Sequence, residues 1–312
     1  MKIRLSISIA LLSVYSIAQT ISTNDYKLKT SKEDYNLKGT IKEVIIKTTD
    51  AKGNWATLPF GDSEYYNQYI LNFNREGNLI KQTNYLDYQG KLGVYNYVEN
   101  VYNPNQQLTN QVLTIVNNGE DPLRIASQKS YYYNSKNQVV KIEEILKGKN
   151  SSSTYQTEFL YSNRLDEVVT KVDQVKSNSI HYSYNKNGNL VKVETVSFDG
   201  KSGLKKFYIY DGSLPIYQEE SFNNRKIMTF FHQGKISSYK AYNAKQELDI
   251  QIDYNTKNEI VRIKKSAFAN GKPVIEDYQV NYTYDLKENW KKAEIYSNNT
   301  IKFIVTRDIN YY

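Results

Sequence analysis

The chain of 312 residues contains no cysteine. Disulfides, thiolate metal sites and a thiol nucleophile are thereby excluded. A lipid-anchored exported form would also need a cysteine, so a soluble exported form is expected, not a lipoprotein. Histidine is almost as scarce, with only His181 and His232. His181 directly precedes Tyr182 and should face away from the tyrosine row, and His232 falls at a turn. Beyond the first residues no stretch approaches the ~18 apolar residues of a helical membrane span. No segment holds a 3.6-residue apolar period between caps, so little helix is expected. HExxH, GxSxG, a phosphate-cradling glycine loop and an aspartate-rich calcium loop are all missing. No catalytic residue, metal site or cofactor is assigned, and the chain reads as not an enzyme.

Paired carboxylates give the same answer. A glycosidase needs two of them across one bond. Glu143-Glu144 and Glu219-Glu220 are sequence neighbours, and neighbours in a strand point to opposite faces. Nothing in the sequence brings distant pairs such as Glu194 and Asp253 together.

What the chain has in quantity is tyrosine, 30 of 312 residues, and a repeat that carries it. The clearest copy is Tyr182-Ser-Tyr184-Asn185-Lys-Asn-Gly188-Asn-Leu190-Val-Lys-Val193. Tyr182 and Tyr184 share one face of a strand. Asn185 and Gly188 are the first and last positions of a four-residue turn, and a β-branched run follows. This is a hairpin. Aromatic-then-turn copies recur at residues 73, 102, 133, 161, 184, 210, 231, 254 and 284, spaced 21 to 31 residues apart. Phe73-Asn74-Arg-Glu-Gly77 keeps the glycine. Tyr133-Asn134-Ser-Lys-Asn137 replaces it with asparagine, and Tyr102-Asn103-Pro104 puts proline at the second turn position. A second set of turns lies between these, at Asp87 to Gly90, Lys176 to Asn178, Asp199-Gly200, Asn223-Asn224, Asn243 to Gln246, Asn270-Gly271 and Asn298-Asn299. The cadence is that of an antiparallel meander.

The fold expected is therefore all-β: tandem antiparallel hairpin repeats forming one elongated twisted or curled sheet, solenoid-like, with atypical terminal caps. Trp290 and Ile301 to Val305 are candidates for the C-terminal cap, and Lys302 and Arg307 for blunting an open edge. Met1-Lys2-Ile3-Arg4, the apolar run to Ile17 and the small residues Ser16 and Ala18 read as a signal peptide over 1–18. A flexible lead-in follows over 19–36, and the repeat domain over 37–312. Gly148 to Thr154 is a serine-rich loop. The net charge is +8, two units of which leave with Lys2 and Arg4. The remaining excess is mild, with lysines alternating along strands as on a solvated face. Nucleic acid is not an expected partner.

The copies at Tyr184-Asn185-Lys-Asn-Gly188-Asn-Leu190-Val-Lys192 and Phe73-Asn74-Arg-Glu-Gly77-Asn-Leu79-Ile-Lys81 resemble YD (Rhs-type) repeats in a short exported bacterial form. The closing Tyr284-Asp285-Leu-Lys-Glu-Asn289-Trp290-Lys is similar to how such proteins end. Large members of that family build β-shells around a C-terminal toxin and carry a DPxGL-like motif. Here Asp121-Pro122-Leu123 lacks the glycine and lies mid-chain, so toxin delivery does not carry over. A looser resemblance is to the MORN-like repeats of small immunity proteins, whose repeats are shorter.

Most tyrosines pair at i and i+2 before a turn: Tyr131/Tyr133, Phe159/Tyr161, Tyr182/Tyr184, Tyr208/Tyr210 and Tyr282/Tyr284. Stacked copy on copy, they should form an aromatic ladder on one face. Tyr132, Phe207 and Phe230 fall on the other face and are the candidate ligand-binding residues, since exposed aromatic faces stack on sugar rings. The functional expectation is a non-catalytic exported binding or scaffold module of the envelope or extracellular space, with a glycan or an envelope protein as ligand. The alternative is an immunity or inhibitor protein that captures a toxin through the repeat sheet.

Overall fold

The computed structural model describes residues 29–58, 66–116, 124–148, 151–197, 199–269 and 272–312. The leader, Asp121-Pro122-Leu123, Asn270-Gly271 and part of the 148–154 loop lie outside them. One sheet of twenty antiparallel strands takes up nearly all of the described chain. It begins with β1 (Ile41–Asp50), β2 (Gln68–Phe73) and β3 (Leu79–Tyr88). It ends with β18 (Lys272–Tyr284), β19 (Trp290–Ser297) and β20 (Thr300–Tyr311). Among the described residues the only other element is a four-residue 3-10 turn, Lys32–Tyr35.

Each strand pairs with the next in the chain, and β1 pairs with β20 as well as with β2. Val44 faces Leu71 on one side and Ile309 on the other. The sheet is therefore a closed up-and-down barrel. The open, solenoid-like sheet expected from the repeats is corrected on this point. Twisted strands accumulate rotation from neighbour to neighbour. After twenty of them the free N–H and C=O groups of β1 find those of β20, from Ile41 opposite Tyr311 to Asp50 opposite Phe303. Closure removes both edges. Ile301 to Val305 thus belong to the strand that shuts the ring and do not form a cap. Arg307, opposite Ile46, protects no edge, because there is none.

Period-two alternation sorts the side chains. Val44, Ile46 and Thr48 of β1 are buried on the inner face, while Glu43 and Lys47 face out. The paired aromatics follow the inner face: Tyr131, Phe159, Tyr182 and Tyr208 are all buried. At a strand spacing of ~4.8 Å and the usual strand tilt of ~40°, a round twenty-stranded barrel is roughly 40 Å across, too wide for facing walls to meet. The apolar core accordingly runs along the wall in two arcs. One joins β16 (Leu248–Tyr254) to β3 through β20 and β1 around Ile263, Ile295, Val44 and Leu71. The other centres on Val168, Leu165 and Val193, between Phe159 and Tyr208.

Residues 29–40 strap the inside of the first arc. The Leu79 amide donates to the Thr30 carbonyl (2.7 Å), and the Lys32 amide to Gly77 (2.9 Å). Tyr35 lies edge-on to Phe73, and Leu37 is buried in the arc. Asn36 Nδ2 then reaches the Lys257 carbonyl. The Lys38 backbone is held at both ends by the buried Asn289 side chain.

Candidate functional site

Every repeat turn lies on one rim of the barrel, because every copy joins an even-numbered strand to the next odd one. The six full-length copies, at 73, 102, 133, 184, 254 and 284, share one local chemistry. Asn185 Oδ1 accepts from the amides of Asn187 (3.0 Å) and Asn189 (2.9 Å), and Asn103, Asn134, Asn255 and Asp285 do the same in their turns. The fourth turn residue has positive φ: Gly77 and Gly188 at 89° and 87°, but Gln106, Asn137 and Glu288 near 60°. A register shift precedes each of the nine repeat aromatics, from Asn72/Phe73 to Thr283/Tyr284. This bulge re-aims the ring inward and back. Tyr133 Oη then donates to the Leu108 carbonyl (2.8 Å), Tyr161 to Val139 (3.0 Å) and Tyr184 to Leu165 (2.8 Å). Each accepting residue opens the return strand of the preceding copy, so the tyrosines stitch neighbouring hairpins together.

The outer wall is a belt of charge. Lys81 pairs with Glu99 (2.9 Å), Lys141 with Glu143 (2.9 Å), Lys171 with Glu158 (2.9 Å) and Lys192 with Glu194 (2.6 Å). The belt continues with Lys226–Glu219 (2.8 Å), Arg262–Asp277 (2.5 Å), Lys292–Glu294 (2.7 Å) and Lys47–Asp308 (2.9 Å). These pairs depress their carboxyls: Glu143 through hydrogen bonds from Tyr132 and Lys141, Glu219 through Lys226, and Asp277 through Arg262.

Tyr132, Phe207 and Phe230 are all on this outer wall. Tyr132 and Phe207 are exposed, and Phe230 is half-buried. They stand on three different strands: β6 (Arg124–Tyr133), β12 (Ser202–Asp211) and β14 (Arg225–His232). Phe207 and Phe230 occupy adjacent rows two strands apart, while Tyr132 is six strands from Phe207 around the ring. Tyr132 donates to Glu143 (2.7 Å) and carries the Lys141 ammonium over its ring. Phe230 packs on Tyr217 beneath Lys240. The structure does not gather the three into one strip.

The carboxylate neighbours split as alternation requires. Glu143 faces out, and Glu144 faces in toward Ser127 (2.6 Å) and Lys129 (3.5 Å). Glu219 faces out, and Glu220 faces in beside Lys206 (3.4 Å). Glu194 pairs with Lys192 and Lys205, whereas Asp253 accepts from Ser238 and Gln251, so these two do not converge. His181 Nε2 lies 3.0 Å from Ser179 Oγ on the outer wall. Among the described residues no group of three or more His, Asp or Glu is placed to hold a metal ion.

The inner wall holds what the sequence reading missed. A chain of amides crosses β3 and β4 (Lys91–Tyr102). Tyr35 Oη donates to Gln82, Gln82 to Asn84 (2.9 Å), and Asn84 to Asn96 (2.7 Å). Asn84 and Asn96 are both buried. In the same transverse row, Asn84 faces Tyr69, Ile46 lies between Tyr69 and Arg307, and Arg307 closes the row. The Arg307 guanidinium stacks on Trp290 at 3.5 Å. Trp290 in turn packs against Tyr282 at 5.6 Å. The signal was present in the strand alternation: Asn84, Asn96 and Arg307 all occupy inward positions.

No family model matches the chain, and no curated protein matches it. Solved structures do. A porin-like protein from Bacteroides uniformis is 10% identical over 88% of this chain and 99% of that one, with a TM-score of 0.36. A porin-like protein from Bacteroides vulgatus is 12% identical at the same coverage, with a TM-score of 0.28. The TcdB2-TccC3 complex aligns with 76% of this chain at 9% identity and a TM-score of 0.24, and the chain covers 20% of its length. At these TM-scores the likenesses add nothing to the closure, which is read from the strand pairing.

Proposed function

We propose that the chain is a non-catalytic binding or scaffold barrel that works in water, exported to the bacterial envelope or the extracellular space. The observation that carries this reading is the outward belt of lysine–carboxylate pairs around the ring. No helix among the described residues is long and apolar enough to cross a membrane, which leaves strands as the means of crossing. A barrel that crosses with strands needs an apolar band outside and a polar lumen, and each outward Lys or Arg at the bilayer midplane costs ~2–4 kcal/mol. Here the outer wall carries the belt of ion pairs between scattered apolar side chains such as Val101, Leu160 and Ile209, and the inner wall sets buried aromatics beside polar groups such as Asn84, Asn96 and Lys206. The leader-like start of the sequence supports export, and the turn of the full-length copies with the tyrosine stitch at Tyr133, Tyr161 and Tyr184 supports the YD-type reading of the repeats. The ligand, glycan or protein, is held on a wall of the barrel, since closure leaves no free strand edge for pairing.

Flotation on phospholipid vesicles tests this. The purified chain without residues 1–18 should stay folded in detergent-free buffer and remain in the bottom fraction of the gradient. Co-flotation with the vesicles, or steady ion conductance across a planar bilayer, would overturn the reading.

A further inference from the structure

Arg307 is a cation without a counter-ion. Its Nε and Nη1 are closed off from solvent and have no hydrogen-bond partner in the structure. No carboxylate forms an ion pair with it among the described residues. Glu259, the acid whose field it feels, is occupied by Tyr284 (2.6 Å) and Asn255 (2.9 Å). Burial lowers the pKa of the guanidinium to about 10, which leaves it charged at neutral pH. Arg307 as a whole is half-buried, yet a guanidinium drawn this far from water without a carboxylate destabilises the fold, and each unmet N–H adds to that. An apolar residue would fill the position better, as Val305 and Ile309 fill the neighbouring inward positions of β20.

The surroundings are those of a built site. Trp290 holds the guanidinium plane from one face. Tyr69 lies two strands away in the same row, followed by the amides of Asn84 and Asn96. A guanidinium matches the geometry of carboxylate, sulfate and phosphate oxygens.

We infer that the barrel interior binds an oxyanion-bearing solute at Arg307, against the wall formed by Trp290, Tyr282 and Tyr69. This deepens the reading of the chain as a binding module and rests on it. The oxyanion, whether the carboxylate of an acidic sugar or a sulfate or phosphate ester, would supply the counter-charge that Arg307 lacks.

Trp290 makes the test direct, because the chain has only two tryptophans. In a Trp55→Phe background, tryptophan emission reports the Arg307 stack alone. Titration with glucuronate, sulfate and phosphate should give a saturable change for at least one of them, and titration with glucose should give none. Arg307→Gln should weaken the effective anion by about tenfold or more, ~1.4 kcal/mol, and Arg307→Lys should weaken it less. If Arg307→Gln does not fold, the melting temperature of the unsubstituted chain serves instead, and it should rise with the same anion and not with glucose. No response to any anion, an equal response to glucose, or undiminished binding by Arg307→Gln would overturn the inference. A chain that stays off vesicles yet fails here loses the Arg307 site and keeps the water-exposed barrel, whereas co-flotation removes the wider reading.

Discussion

At the residue scale, the repeat tyrosine does two jobs. Its ring covers the inner wall, and its hydroxyl ties one hairpin to the one before. Tyr161→Phe keeps the ring and removes the bond to Val139. It should lower unfolding stability by about 0.5–1.5 kcal/mol with the far-UV spectrum unchanged, as read by urea denaturation. The hydroxyls also fix an alkaline behaviour. Burial first, and then hydrogen bonds to Glu276 and Glu259, push Tyr278 and Tyr284 up to about 12. Their neutral form is favoured in the fold, so this stability is complete below the ordinary value of 10 and is lost as pH rises toward 12. Absorbance titration at the phenolate band should show a late group of tyrosines that merges with the rest in denaturant. A single step at 10 in the folded protein would contradict the packing.

At the element scale, the hairpin was readable and its consequences only partly so. Asn185, Gly188 and the flanking alternation specify strand, turn and strand by local chemistry. Placing Tyr131, Phe159, Tyr182 and Tyr208 on one face needed only period two. The positive φ of Gln106 and Glu288 had no such signal, since neither residue type favours that conformation and the surrounding hairpin imposes it. The outer charges were legible as a solvated face, but their pairing was not, because partners such as Lys81 and Glu99 meet only once register is set. The belt gives a pH dependence. Glu143, Glu219, Glu294 and Asp277 hold their protons less tightly in the fold than their ordinary 4.5 or 3.8. Their contribution is therefore present above those values and is lost as pH falls below them. The melting temperature should hold steady from neutral pH down to about pH 5 and then decline. Replacing Glu143 and Glu219 with glutamine should shallow that decline. A decline already under way at neutral pH would point to other groups.

At the scale of the whole molecule, no residue pattern announces closure. The copies are alike, so nothing in any one of them says where the array stops or whether its ends meet. Pairing Ile45 with Asp308 joins residues at opposite ends of the chain, and neither carries a local mark of the other. For the same reason Arg307 read as an edge residue when it is an interior one, and Trp290 read as a cap when it is wall. Alternation puts Tyr132, Phe207 and Phe230 on the outer wall, but their separation around the ring depends on strand count, which no single repeat encodes.

The measurement that bears most directly on the closed barrel is a cross-link between β1 and β20. With no native cysteine, the double substitution Ile45→Cys and Asp308→Cys supplies the only two thiols, at outward positions directly opposite each other. Opposed residues in an antiparallel pair have Cα atoms ~4.5–5.5 Å apart, within the ~4.4–6.8 Å that a disulfide spans. Mild oxidation of the dilute, folded, detergent-free chain should give one intramolecular disulfide in nearly every molecule, seen as a faster-running monomer that reverts on reduction. Free thiols on a folded monomer, or links only between molecules, would mean that the ends do not meet and the sheet is open.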